Sequence, residues 1–264
     1  MKPQSTNKNL YSSCYHWLIT STLLFLFHLL ATLAATGQQV SKDFLTGKYN
    51  YATDTTFIRV PSALSSKTTY LKKEALLAFQ KMHQAALKQG IRLVIISGTR
   101  SFNDQKAIWE RKWSAAQFAG ISIEAQRSTQ ILNWSSMPGT SRHHWGTDMD
   151  LNSMRLEFYK TTTGKRLYDW LCLNAPKFGF QQPFSAGRSS GYREEKWHWS
   201  YIPLSKGYLQ AYQEMISNVD INGFKGAHTA AEIGVITNWV SGVNRQCKNE
   251  QIPQFFAWSF FPEL

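Results

Sequence analysis

Ser141-Arg142-His143-His144-Trp145-Gly146-Thr147-Asp148-Met149-Asp150 is the stretch whose reading decides how this chain folds. Ser135 to Arg142, with Pro138 and Gly139, reads as a loop. Gly146 to Asn152 reads as a strand leaving that loop, and Gly146 lets the backbone turn sharply between the two. A loop that runs into a strand can carry His143 and Asp150 to one point, although seven positions separate them. A distant stretch, Glu195-Lys196-Trp197-His198-Trp199, opens a further strand, because Lys196 to Ile202 alternates ring and polar residues. It supplies His198, with Glu195 three positions before it.

Outward from these stretches, the upstream pattern is helical. Leu71, Ala75, Leu76, Phe79, Met82, Ala86 and Leu87 recur at helical spacing from about Thr69, and Gly90 stands where a helix C-terminus favours glycine. Ile91 to Ile96 is short, β-branched and mostly apolar, and reads as a buried strand. Ser97-Gly98-Thr99-Arg100 leaves that strand, and a helix capped by Ser101 or Asn103 runs through Trp113. A weaker helical stretch covers Ile123 to Leu132. Gly164 to Ala175 reads as a helix stopped by Pro176, and Phe178 to Tyr192, rich in Gly, Pro and Ser, as an excursion near the site. Thr229-Ala230-Ala231-Glu232 has a capping-box pattern and predicts a helix ending near Gly242. The aromatic tail, Phe255 to Phe261, is expected to dock on the body. Helices and strands mix without steady β-α-β alternation, so the expected class is α+β, with helices packed on a mainly antiparallel sheet.

The 264 residues are 43% hydrophobic, enough for one substantial domain. Residues 1–37 read as an export signal or an uncleaved N-terminal anchor: Lys2 and Lys8 start it, an apolar run from Trp17 to Leu33 follows, then Ala34, Ala35 and Gly37. Residues 38–264 are then a single domain with an exported location. The net charge of +12 is scattered in short pairs such as Lys72-Lys73 and Arg111-Lys112. No compact basic run points to nucleic acid. Outside the leader, Cys172 and Cys247 leave open one disulfide or two free thiols.

Two imidazoles, one carboxylate and a spare glutamate are the inventory of a three-ligand catalytic zinc site with its own base. His143, Asp150 and His198 are the candidate ligands of one Zn2+, with one position left for water. Glu195 can reach over the metal from a turn as general base and acid. Asp148 shares a strand face with Asp150 and is the alternative ligand. His144 should point elsewhere, and Glu194 should face solvent. Arg100, displayed at a turn after a buried strand, suits a carboxylate or an oxyanion, with Gln105 in support. The bland alternative is a set of hydrogen-bonded polar residues beside a tryptophan-rich core.

These residues resemble the zinc D-alanyl-D-alanine carboxypeptidases that include the VanY-type enzymes, related to the hedgehog zinc fold. Ser141, His143, Gly146 and Asp150 meet the pattern Ser-x-His-x-x-Gly-x-x-x-Asp, and Glu195 and His198 meet Glu-x-x-His. Ser97-Gly98-Thr99-Arg100-Ser101, with Gln105, is similar to the family's substrate-binding arginine turn. The likeness covers roughly 70–203 and leaves 204–264 as an extension without a role. It implies His143, Asp150 and His198 on zinc, Glu195 as base, Arg100 on the substrate, and Gln105 and Ser141 lining the pocket. It implies a hedgehog-like fold and peptidoglycan stem peptides as substrate, cut at the terminal D-alanine in the periplasm or cell envelope. The membrane is a partner only through the anchor. An L,D-carboxypeptidase or endopeptidase of the same fold, and a zinc-stabilised wall-binding module without turnover, remain as alternatives. Asp148 stands where many members have alanine, and Thr99 where tyrosine is common.

Overall fold

The structure, a computed structural model, describes residues 40–248. Its elements in chain order are helix α1 (Lys42–Thr46), strands β1 (Phe57–Arg59) and β2 (Tyr70–Lys72), helix α2 (Lys73–Leu87), strand β3 (Ile95–Ser97), and helices α3 (Phe102–Trp113) and α4 (Glu124–Leu132). Strand β4 (Asp148–Leu151), helix α5 (Thr162–Asn174), strands β5 (Phe180–Gln181) and β6 (His198–Tyr201) and helix α6 (Ile202–Met215) follow. Four strands form one antiparallel sheet in the order β3-β4-β6-β5, and β1 and β2 pair separately. The class is α+β, as expected.

Successive strand residues point to opposite faces. In β4 that puts Met149 and Leu151 on one face and Asp148 and Asp150 on the other. Asp150 lies opposite His198 of β6, and Asp148 opposite Ser200. The apolar face joins a core of Ile95, Met149, Leu151, Phe180 and Trp199 with Phe79 and Met82 of α2 and Leu167 and Leu171 of α5. Each such side chain contributes roughly 1.5–3 kcal/mol on burial. This layer covers the apolar face of the sheet and leaves Asp148, Asp150, His198 and Ser200 on the other.

A second core contains Trp109 and Trp113 of α3, Trp145, Leu209 and Tyr212 of α6, and Ile221, Val235 and Val240 from the segment after α6. The extension is therefore part of the body: the Trp109 indole donates to the Lys225 carbonyl at 2.8 Å. The expected docking of Phe255 to Phe261 and the leader at 1–37 lie outside the described residues. Among the described residues no helix is long and apolar enough to cross a membrane. Cys172 and Cys247 are both free thiols, one exposed and one buried.

Three expectations need correction. Leu71 belongs to β2, paired with Ile58, and the helix starts at Lys73. Ile91 to Val94 is not strand; Asn152, at φ 58°, ends β4, and its side chain takes up the Val94 N–H and the Arg92 carbonyl. The helix expected from Thr229 breaks into a single turn at Ala227–Ala230 and a wide turn at Val235–Val240. Gly226 and Gly234 both adopt left-handed backbone there, and the Thr229 hydroxyl is committed to Ser128 and the Gly226 carbonyl rather than to a cap. Phe178 to Tyr192 also holds one short strand, β5.

Candidate metal centre

The first imidazole arrives on a tight turn. Ser141 caps a 3-10 turn at Arg142–Trp145, and Gly146 closes it with φ 71°. A side chain at Gly146 would collide with the Phe57 ring, so only glycine lets β4 start here. His143 Nδ1 lies 2.8 Å from the Gly98 carbonyl, which can only accept, so Nδ1 carries the proton. Burial and the nearby charge of Arg100 push this imidazole down to about 4, so it is neutral and Nε2 keeps a free lone pair.

The second imidazole is oriented from behind. His198 Nε2 lies 2.9 Å from Asp148 Oδ1. Burial opposes the Asp148 charge, but Arg142 and His198 hold its carboxyl well below the usual range. An ionised carboxylate only accepts, so the His198 proton sits on Nε2 and Nδ1 faces Asp150. Asp148 is further held by Arg142 Nε at 2.9 Å, by Thr147 Oγ1 at 2.6 Å and by Ser200 Oγ at 3.0 Å, and it is fully buried. Those contacts use its lone pairs; it is a support for His198 and is not grouped with the ligands.

One ligand atom each from His143, Asp150 and His198 lies within 4.8 Å of the others. His143 Nε2 is 3.4 Å from Asp150 Oδ2, and His198 Nδ1 is 3.4 Å from Asp150 Oδ1. These gaps, each to a different oxygen of Asp150, are long for hydrogen bonds. His143 Nε2 and Asp150 Oδ1 are buried with no hydrogen-bond partner, a costly state that a cation between them relieves. Burial opposes charge on His198, yet the carboxylates of Asp148, Asp150 and Glu195 raise it well above its ordinary value. The site attracts positive charge, and two nitrogens with one carboxylate suit zinc.

Glu195 stands on the turn into β6, its backbone N–H bonded to the Phe184 carbonyl at 2.9 Å. Its Oε2 is 3.3 Å from His198 Nδ1, and burial raises its pKa. Arg100 Nη2 is 3.6 Å from Asp150 Oδ2, and Nη1 donates to Gln105 Oε1 at 2.9 Å. Gln105 is fully buried and donates to the Ser136 carbonyl at 2.8 Å, while the Ser141 hydroxyl accepts from the His143 N–H at 3.3 Å. Asp150, Glu195 and Arg100 line one cleft of about 740 Å³, with His143 and His198 grouped against Asp150 and with Gln105 and Ser141 behind Arg100 and His143. His144 does point elsewhere, but with a purpose. It donates from Nδ1 to the Arg100 carbonyl at 2.8 Å and accepts from the Gly139 N–H at 3.2 Å, fixing the arginine turn. Glu194 is half-buried beside Tyr168 rather than fully solvated.

The sequence profile of the VanY family, D-alanyl-D-alanine carboxypeptidase, matches residues 68–204, just over half of the chain. The chain belongs to the VanY family. Relatives in that family's range include a D-alanyl-D-alanine carboxypeptidase of Enterococcus faecalis, 29% identical over 127 residues, or 47% of this chain and 46% of the relative. The putative carboxypeptidase YodJ of Bacillus subtilis is 31% identical over 141 residues, 50% of this chain and 46% of the relative. The chain thus spans about half the length of the curated relatives it matches. Among solved structures, VanYB in complex with D-alanine-D-alanine has a TM-score of 0.48 at 24% identity, covering 64% of this chain and 93% of that one. The LdcB LD-carboxypeptidase also has a TM-score of 0.48, at 23% identity, covering 71% of this chain and 81% of that one. The VanY match holds the two imidazoles, Asp150, Glu195 and Arg100 within its bounds.

A metal at this centre is expected to stabilise the fold. Binding the native state alone adds about 4 kcal/mol at a thousandfold excess over Kd. Calorimetric melting with zinc should show a raised Tm that a chelator reverses. No shift, with no metal retained after desalting, removes the centre.

Proposed function

We propose that this VanY-family protein is a zinc carboxypeptidase of the cell envelope that releases the C-terminal D-alanine of peptidoglycan stem peptides. The observation that carries the proposal is the convergence of His143, Asp150 and His198, with Glu195 beside them, where Asp150 and Glu195 open onto one cleft. The enterococcal relatives named as D-alanyl-D-alanine carboxypeptidases support the choice of substrate.

His143 Nε2, Asp150 and His198 Nδ1 would hold the zinc, which when bound would supply Lewis acidity and lower the pKa of a water to roughly 7. Glu195 takes the proton of the attacking water, and its raised pKa lets it return that proton to the departing amine of D-alanine. Arg100, beside Asp150 and held by Gln105, binds negative charge on the substrate. Asp148 keeps His198 in the tautomer that presents Nδ1. Residues 1–37 take the chain out of the cytoplasm as a signal or an anchor.

The test is incubation of zinc-loaded protein with a stem pentapeptide ending in D-Ala-D-Ala, followed by mass spectrometry. Loss of a single D-alanine, stopped by a chelator, is the expected result. Release from a tetrapeptide instead would make it an L,D-carboxypeptidase, and cleavage of cross-linked peptides an endopeptidase. An absence of any product from metal-loaded protein leaves only the wall-binding alternative.

A further inference from the structure

The cleft carries more positive charge than the proposed reaction uses. Besides Arg100, its lining includes Lys67, Arg111, Lys112 and Arg155. None of these four enters an ion pair among the described residues. The acids in the same lining are Asp150 and Glu195, both committed at the metal centre, and the exposed Glu157. Like charges crowded into a concave wall repel one another and focus a positive potential on whatever enters.

Lys112 marks the place most clearly. It is half-buried, burial lowers its pKa against the pull of Glu195, and its Nζ donates to the Trp134 carbonyl at 3.4 Å. Arg111 and Lys112 occupy the last turn of α3, whereas Gln105, which holds Arg100, occupies the first. Seven residues of helix span roughly 10 Å, about three residues of extended peptide. Long helical side chains lean toward the helix N-terminus, so Lys112 reaches back toward Arg100. Arg155, just beyond the end of β4, lines the same cleft. The exposed side chains of Trp134 and Met154 add apolar surface to the same lining.

Cations and exposed apolar side chains in one cleft fit an aliphatic side chain that ends in an anion. We propose that the cleft has a second anion subsite, formed by Arg111, Lys112 and Arg155. It takes a carboxylate on an aliphatic side chain of the second residue upstream of the scissile bond. This rests on the carboxypeptidase reading and narrows it: the preferred substrate is a peptide with an acidic residue before its terminal pair, distinct from the terminal carboxylate itself.

Three acetylated peptides test it, X-D-Ala-D-Ala, in which the X side chains have equal length and end in a carboxylate, a carboxamide or an ammonium. All three share the terminal carboxylate, so any contribution from Arg100 is common to them. Their Kd values would be measured calorimetrically on the zinc-loaded full chain carrying Glu195→Gln, which keeps the peptides intact. The carboxylate peptide should bind about tenfold tighter than the carboxamide, in line with one added charge-assisted contact. The ammonium peptide should bind most weakly, and the preference should shrink in high salt. The combined R111M/K112M/R155M variant should bring the acid-to-amide ratio close to one. Equal binding of acid and amide by the unaltered cleft overturns the proposal, whether or not the triple variant folds. D-alanine released by the wild-type chain from the amide peptide without acid preference leaves the carboxypeptidase reading standing and removes the subsite. Acid preference in binding without any release does the reverse.

Discussion

Glu195→Gln is expected to lower the rate of D-alanine release about 100- to 10,000-fold while zinc content stays at one ion per chain. The amide is nearly isosteric with the carboxylate, so the turn into β6, the Phe184 and Gln182 contacts and the ligand triad should persist. What disappears is a group able to accept a proton and give it back. The carboxylate now sits buried, 3.3 Å from His198 Nδ1, with its pKa raised by burial, which strengthens its hold on a proton it takes up. Metal analysis and turnover on the same preparation check both halves. A Glu195→Gln variant that turns over at the wild-type rate would assign the proton transfer to another group. One that loses its zinc would make Glu195 a ligand.

Asp148→Ala should weaken zinc binding about 10- to 100-fold and destabilise the protein by about 3–5 kcal/mol. The two effects have separate causes. His198 loses the acceptor at 2.9 Å that keeps its proton on Nε2, so the ring no longer presents Nδ1 in a fixed pose. Arg142, almost wholly buried and packed 4.8 Å over the Trp145 ring, is left with its charge unmatched except by the Ser200 hydroxyl. Replacing both partners, as Arg142→Met with Asp148→Leu, should restore most of the stability and none of the metal affinity, because a matched apolar pair carries no stranded charge. Competition titration with a zinc chelator reads the affinity; the fall in Tm, about 10 °C for the single variant, reads the stability. Wild-type zinc affinity in Asp148→Ala refutes the positioning role. The pair also sets an acid limit. The Asp148 carboxyl is depressed on folding, so its contribution is complete above about pH 4, its unfolded value, and is lost progressively as the pH falls below that.

The metal-capable cluster, the placing of Glu195 beside it and the α+β class were legible in the chain because they rest on short-range rules. Strand alternation puts Asp148 and Asp150 on one face of β4 and His198 and Ser200 on one face of β6, whatever those strands pack against. The Ser101 cap and the glycine at 146 are local in the same way, the first reading a side chain against its own backbone, the second a left-handed turn. The helix expected from Thr229 failed for a converse reason. Its Thr-x-x-Glu pattern was present, but two left-handed glycines and a hydroxyl already bonded to Ser128 outweighed it, and neither was visible as a pattern.

By itself, then, the sequence determined which side chains could ligate, which could move a proton and which periodicity would carry them. The tertiary structure alone decided what each of these does to the others. Residue type does not say that Asp148 orients His198 rather than binding metal, that His144 pins the Arg100 turn, or that Lys112 reaches the same cleft as Glu195. Those assignments depend on the cross-strand register of β4 with β6 and on the way α3 lies along the cleft. Both are fixed by burial of apolar faces far apart in the chain, and no local spacing encodes which polar groups that burial brings within hydrogen-bonding distance.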